Sequence, residues 1–209
     1  MKKLFILLLC LGLLTACTSQ SGVEALDGDV VKIDFVGKLD GTAFSGGTAY
    51  DAILELGSNT YIDGFEEQVV GMKTGQKRTI TVTFPENYQS STLAGQECTF
   101  DITLNHVYQE VTEACQSGDI VKIDYVGKIQ GEVFQGGTAN GYLLELGSGT
   151  FIDGFEDQLI GMEVAQQKTI TVTFPANYGS TYVNGEVVEL SDQEVTFDVA
   201  VNHIYREVQ

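Results

Sequence analysis

The sequence predicts an α+β protein built from two tandem copies of one small domain, each pairing one short helix with a curved antiparallel sheet. Three observations carry this. The segment from Gly28 to Tyr88 returns at constant spacing as Gly118 to Tyr178. Aligned without a gap, roughly two-thirds of those positions are identical, and the period is too long for a module that must stack to bury its core. Within each copy, short runs of alternating apolar and polar residues are punctuated by glycine, and one brief helical signal interrupts them.

Taken in order, the first residues do not belong to either copy. Lys2 and Lys3 precede an apolar run from Leu4 to Leu14, roughly half the length a helix needs to span a bilayer. This predicts a secretory signal at 1–16. Its end, Leu14-Thr15-Ala16-Cys17, resembles the lipobox of bacterial lipoproteins, which implies cleavage before Cys17 and lipid on that cysteine. The expected product is an extracytoplasmic protein anchored to the cell membrane, with a polar tether over 17–25.

In the first domain, expected over 26–110, Val31 to Val36 alternates, Gly37 and Gly41 mark turns, and Ile53 to Leu56 and Thr79 to Phe84 read as further strands. Asp63 with Glu66 has the form of a helix N-cap and its reciprocal partner, and Gly71 ends the helix after Val69-Val70. Asp153, Glu156 and Gly161 repeat the pattern. The last strand runs from Thr99 to Tyr108. A linker over 111–117 leads to the second domain, 118–209, whose last strand is Thr196 to Tyr205. Nothing in the sequence fixes the orientation of one domain on the other. The copies differ in one loop, Tyr178 to Gln193 being about seven residues longer than Tyr88 to Gln96.

Composition bounds the function. A formal net charge of −18, with 43% hydrophobic residues, suits a soluble body and excludes nucleic acid as a partner. Cys98 lies on the inward set of an alternating strand and reads as core filling, and Cys115 falls in the interdomain stretch; a bridge between them would require the strand's far end to fold back. No cysteine or histidine spacing suits a metal, so no metal or other cofactor is expected. His106 and His203 are repeat equivalents with no serine or cysteine placed to use them, and read as structural. The acidic pairs Glu66-Glu67 and Glu156-Asp157 suit a helix dipole. Gly46-Gly47 and Gly136-Gly137 lack the lysine and spacing of a phosphate loop. What remains is a set of aromatic residues at recurrent, non-periodic places.

The blocks GDVVKIDFVGKLDGTAFSGG, LELGSNTYIDGFEEQVVGM, TITVTFPENY and TFDITL, in order and then repeated, resemble the FKBP family of peptidyl-prolyl isomerases, most closely the FKBP-like domain of trigger factor. The resemblance implies two FKBP-like domains, each a half-barrel of strands wrapped around one short helix, with a shallow apolar pocket for a proline side chain. By position, it implies a first pocket that binds substrate through Phe35, Phe44, Tyr61, Ile62, Phe65, Tyr88 and Phe100. The second, catalytic pocket would use Tyr125, Phe134, Tyr142, Phe151, Ile152, Phe155, Tyr178 and Phe197. Phe65 or Phe155 would form the floor, and the Ile62 or Ile152 N–H would hold the substrate carbonyl.

Two departures bear on activity. Ser45 and Gln135 stand where many members carry an acid, which implies lowered or altered activity. Ala52 stands where the family usually has an aromatic and the second copy has Tyr142, so the second domain is expected to be the better isomerase. The implied partners are unfolded or proline-containing polypeptides. The alternative is the same fold used as a non-catalytic binding module or holdase.

Overall fold

The computed structural model describes residues 22–209. The predicted signal segment and Cys17 lie outside the described residues. The first copy comprises β1 (Val30–Leu39), β2 (Thr42–Glu55), α1 (Phe65–Val69), β3 (Lys77–Thr83) and β4 (Glu97–Val111). The second comprises β5 (Ile120–Ile129), β6 (Glu132–Glu145), α2 (Phe155–Leu159), β7 (Gln167–Thr173), β8 (Ser180–Val183), β9 (Glu186–Glu189) and β10 (Glu194–Glu207). All strand pairs are antiparallel, so the α+β architecture expected from the sequence is the one observed.

In each copy the long last strand pairs with the first strand on one side and the strand after the helix on the other. Its alternating apolar residues, Cys98, Phe100, Ile102 and Leu104, or Val195, Phe197, Val199 and Val201, all face the core. The single helix lies on that face, burying Phe65 and Val69, or Phe155 and Leu159. Gln68 ties α1 to β3 by donating to the Gly64 and Thr81 carbonyls (2.6 and 2.9 Å), and Gln158 does the same to Gly154 and Thr171 (2.8 Å each).

Several local expectations change. Strand β2 is far longer than Ile53 to Leu56, because the Gly46-Gly47 interruption that breaks the alternation is a bend within the strand. The tether expected through residue 25 is shorter. Glu24 bridges Lys73, and Ala25 is fully buried with its N–H on the Met72 carbonyl at 2.8 Å. Likewise Cys115, expected in a linker, is buried in the second core, where its N–H donates to the Met162 carbonyl and its thiol to the Leu159 carbonyl. Cys98 fills the first core as expected, so the two thiols are free and sit in separate cores. The longer loop of the second copy folds into the β8–β9 hairpin, laid against β6 through Phe134 and Val183.

The orientation of the copies is fixed by a continuous sheet. Strand β4 pairs with β10 over Val111↔Ile204, Glu110↔Tyr205, Gln109↔Arg206 and Tyr108↔Glu207. Gln109 and Arg206 are equivalent positions, so the join has a pseudo-twofold axis between them. The neighbouring contacts obey it: Lys32 pairs with Glu145 and Lys122 with Glu55, both at 2.6 Å. His106 meets Glu207 and His203 meets Glu110, both at 2.7 Å. Both histidines are thus structural, as expected, but at a seam. Val30, Tyr108, Ile120 and Tyr205 form a small buried core there, and the Tyr205 hydroxyl donates to Glu55 at 3.0 Å. Because Val31 and Val107 face the first core, their neighbours Val30 and Tyr108 must face the opposite side of the sheet. The copies therefore pack back to back, and their helix-bearing faces point away from the seam.

Candidate active site

On the inner face of the second copy a cavity of about 440 Å³ is lined by Tyr125, Phe134, Phe151, Ile152, Phe174, Tyr178 and Phe197 together with Gly136, Gly137, Thr150, Asp153, Thr173 and Pro175. Strands contribute Tyr125, Phe134, Gly136, Gly137, Thr173 and Phe197, and the connection before α2 and the one after β7 contribute the rest. The rings form a lattice of mostly edge-on contacts, with Phe174 and Tyr178 tilted at 36°. Tyr125 lies 5.6 Å from Phe151 and 5.9 Å from Phe197; Phe134 lies 5.9 Å from Phe197 and 6.0 Å from Phe174; Phe174 lies 4.2 Å from Tyr178. Such edge-to-face contacts fix ring positions as well as adding packing energy.

Phe155 does not line the cavity but lies beneath it, fully buried, 4.6 Å from Phe151, 5.3 Å from Phe197 and 6.1 Å from Tyr125. It is the floor under the floor: its helix position props the visible rings. Tyr142 also falls outside the lining, half-exposed at the edge, 5.3 Å from Phe151 and 6.3 Å from Tyr125. The first copy repeats the lattice. Phe35, Tyr61, Phe65 and Phe100 pack at 4.8 to 6.0 Å, Phe44 bridges Phe84 and Phe100 at 5.9 Å each, and Tyr88 covers Phe84 at 4.5 Å.

The second glycine of each Gly-Gly pair has a steric reason, while the first, Gly46 or Gly136, sits at φ 80° or 81°. A Cβ on Gly137 or Gly127 would meet the Phe134 ring at 2.6 Å, and Gly47 and Gly37 crowd Phe44 in the same way. The ring can lie against the backbone only because these positions lack a side chain.

The acid after the helix start has a different role from the one expected. Gly64 and Gly154, at φ 84° and 79°, occupy the N-cap positions, and neither Asp63 nor Asp153 caps the helix. Glu156 is only 7% exposed and collects N–H donors from the loop that precedes the helix: Gly147 (2.8 Å), Gly149 (3.1 Å) and Phe151 (3.1 Å), with the Ser148 hydroxyl at 3.2 Å. Glu66 does the same for Asn59, Thr60 and Tyr61 at 2.9 to 3.0 Å. Burial would raise both carboxyl pKa values, but the N–H donors outweigh it and hold them below the usual range. Each carboxylate thus organises the loop that carries the pocket aromatic and the adjacent isoleucine. The N–H of Ile152 donates to no group among the described residues, while its carbonyl accepts from Phe155 at 2.9 Å.

The sequence reading missed Phe174 and Phe84 as site members. Their signal was present in the repeated Thr-Phe-Pro, which ends a strand and turns the ring inward. Tyr125 carries a hydroxyl where the first copy has Phe35. Burial, then the nearby Tyr142 and Tyr178, push its pKa up, so it is a neutral donor at physiological pH.

Compared with known proteins, residues 22–105 and 111–202 each match the model for FKBP-type peptidyl-prolyl cis-trans isomerase. The chain belongs to the FKBP-type peptidyl-prolyl cis-trans isomerase family. Similar relatives are the trigger factors of Novosphingobium aromaticivorans, 56% identical over 89 residues, and Sinorhizobium fredii, 58% over 84 residues. These alignments cover 43% and 40% of this chain and 17% of each trigger factor, so the FKBP chain spans about a fifth of such relatives or less. A crystal structure of the three FKBP domains of wheat FKBP73 aligns with TM-score 0.35 and 18% identity, covering 87% of this chain and 89% of that one.

Proposed function

We propose that this FKBP protein is a prolyl isomerase whose main active site is the second-copy cavity, acting as a membrane-anchored folding factor on exported polypeptides. The observation that supports the site most strongly is an aromatic cavity with an uncommitted N–H at its wall and no serine, cysteine, histidine or lysine in its lining. That is the chemistry the reaction needs. Rotation about an X-Pro bond breaks amide resonance against a barrier of about 18–20 kcal/mol, and the twisted state is less polar than the planar one. An apolar wall favours the twisted form because it offers the planar dipole little solvation.

In this reading the proline ring sits among Phe134, Phe151, Phe174 and Phe197. Ile152 N–H holds the substrate carbonyl, and the Tyr125 hydroxyl supplies a second donor. Phe155 and Glu156 are positioning residues, one beneath the rings and one behind the loop. No bond forms between protein and substrate. The first copy keeps the lattice but has Phe35 for Tyr125 and Ala52 for Tyr142, so it serves mainly to bind clients. Anchoring rests on the apolar segment and Cys17 in the sequence. Prolyl cis-to-trans rates of a proline tetrapeptide with the Tyr125→Phe and Phe35→Tyr variants test the assignment of roles; equal losses from changes in either copy would refute it. Palmitate labelling of cells producing wild type and Cys17→Ser tests the anchor, and labelling that survives the substitution would refute it.

A further inference from the structure

Eleven lysines and arginines stand in the sequence, and Lys2 and Lys3 lie outside the described residues, which leaves nine. Five of these pair with carboxylates: Lys32, Lys38, Lys122, Lys128 and Arg206. Arg78 donates to the Gln68 carbonyl and Lys168 to that of Gln158. Lys73 and Lys77 are left, the two cations with no partner for their charge among the described residues, and in a chain of net charge −18 they fall on one turn. That turn is held firmly. The Gln76 N–H donates to the Lys73 carbonyl at 2.8 Å, the Gln76 side-chain oxygen accepts from the Lys73 N–H at 2.9 Å, and the Gly75 N–H donates to the Leu104 carbonyl of β4 at 2.7 Å.

The leading segment of the chain enters the fold at the same turn. Glu24 bridges Lys73, the Thr74 N–H donates to the Val23 carbonyl at 2.9 Å, and Gly22 lies so close that a Cβ there would meet the Thr74 carbonyl oxygen at 2.5 Å. Glu24 lies across the bridge from Lys73 but forms no ion pair with it. From Gly22 back to Cys17 is at most about 17 Å of extended chain. In the second copy Glu163 and Gln167 hold the positions of Lys73 and Lys77, so the cationic turn belongs to the copy next to the tether.

We infer that the Lys73–Lys77 turn seats the protein on the anionic lipid surface that holds its anchor. The inference rests on the reading of Cys17 as the lipidated residue. Most of so acidic a surface is repelled by an anionic bilayer, and a short tether alone selects no face. Screening confines that repulsion to about 8 Å at physiological ionic strength, whereas an ammonium among the headgroups acts at contact. Each lysine against an anionic bilayer raises the seated population about fivefold, and the two together about thirtyfold. Strand β3 starts at Lys77 and ends at Thr83, one residue before Phe84, so the aromatic lattice of the first copy lies about 20 Å along the strand from the seated end. Seating therefore fixes which side meets the membrane and keeps the client-binding rings off the lipid.

The test uses the full-length protein, held by its anchor in vesicles of phosphatidylcholine alone or of phosphatidylcholine mixed with phosphatidylglycerol. Acetylation of each lysine by a soluble acyl ester is followed by mass spectrometry. Lys73 and Lys77 are expected to react at least about tenfold more slowly on the anionic vesicles than on the neutral ones, with the other lysines unchanged. In about 1 M salt, where screening falls to about 3 Å, the difference should vanish. Lys73→Glu and Lys77→Gln each install the second copy's residue, which this fold already accommodates, and each should lower the protection of the remaining lysine at least about fivefold. Equal rates on the two vesicles, protection shared by every lysine, or protection that neither substitution changes would overturn the inference. A chain that carries no lipid and leaves the neutral vesicles refutes the anchor by itself. Coupling Cys17 of a Cys10→Ser chain to a maleimide lipid then supplies the anchor, and the same rates decide: selective protection of the two lysines upholds the seating, and its absence overturns it.

Discussion

Replacing Glu156 by glutamine changes one atom of a buried side chain and separates loop organisation from packing. The carboxylate receives Gly147 and Gly149 N–H on one oxygen, and Phe151 N–H with the Ser148 hydroxyl on the other. Glutamine keeps one acceptor. Its NH₂ fits best at the second oxygen, because the Ser148 hydroxyl can rotate to accept from it, but Phe151 N–H then faces a donor. One orphaned buried donor costs about 1–3 kcal/mol, and the remaining bonds lose their charge assistance, giving a total of about 2–4 kcal/mol. The orphaned group belongs to the residue that walls the cavity, so KM for a proline peptide should rise as well. Urea unfolding followed by tyrosine near-ultraviolet dichroism measures the first effect in this tryptophan-free chain, and peptide isomerisation the second. The sign in pH follows from the depressed carboxyl. Its folded pKa lies below the unfolded one, so its stabilisation is complete above the unfolded value and is lost as pH falls below the ordinary glutamate range through the folded value. Glu156→Gln should flatten that acid limb. A variant within about 0.5 kcal/mol of wild type, with the same acid profile, would refute the role assigned to this carboxylate.

Tyr125→Phe should lower kcat/KM for a tetrapeptide about three- to tenfold with unchanged stability, the loss of one hydrogen bond at a neutral donor, as read by peptide isomerisation. Phe155→Ala removes a fully buried ring and should cost about 3–5 kcal/mol in urea unfolding, whereas Phe155→Leu should cost less and keep part of the activity. Tyr108→Ala with Tyr205→Ala empties the seam, and small-angle scattering should then show a larger radius of gyration, while tetrapeptide turnover stays at the wild-type level because the pockets face away from it.

The repeat made most of the fold legible. Strands whose alternation was uninterrupted, such as β1, β3, β4 and their counterparts, lie where period-two patterning puts them, and the helix ends where Gly71 and Gly161 stop it. The first half of β2 was hidden because Gly46-Gly47 reads as a turn, whereas the missing side chain of Gly47 lets Phe44 lie on the backbone. The Asp63…Glu66 spacing imitates a capping box. The glutamate instead looks backwards to a loop whose N–H groups converge on it, which is a tertiary arrangement with no local signature. The β8–β9 hairpin was visible only as extra length. The seam was invisible because it depends on the side of the sheet that alternation assigns to solvent, where Val30, Tyr108, Ile120 and Tyr205 instead meet one another. For the site, the aromatics placed by resemblance pack against one another in both copies. The resemblance placed Phe155 at the floor and Tyr142 in the wall; the helix geometry puts Phe155 beneath the lining rings, and the strand edge puts Tyr142 beside them.

The central claim is that the aromatic cavity of the second copy lowers the rotation barrier of an X-Pro bond. The most direct test is the cis-to-trans rate of a proline tetrapeptide with wild-type protein, Phe151→Ala and the matching Tyr61→Ala, each verified as folded. The account predicts acceleration by wild type that is mostly lost with Phe151→Ala and mostly kept with Tyr61→Ala. No acceleration by the folded wild-type chain, or full activity in Phe151→Ala, would contradict it.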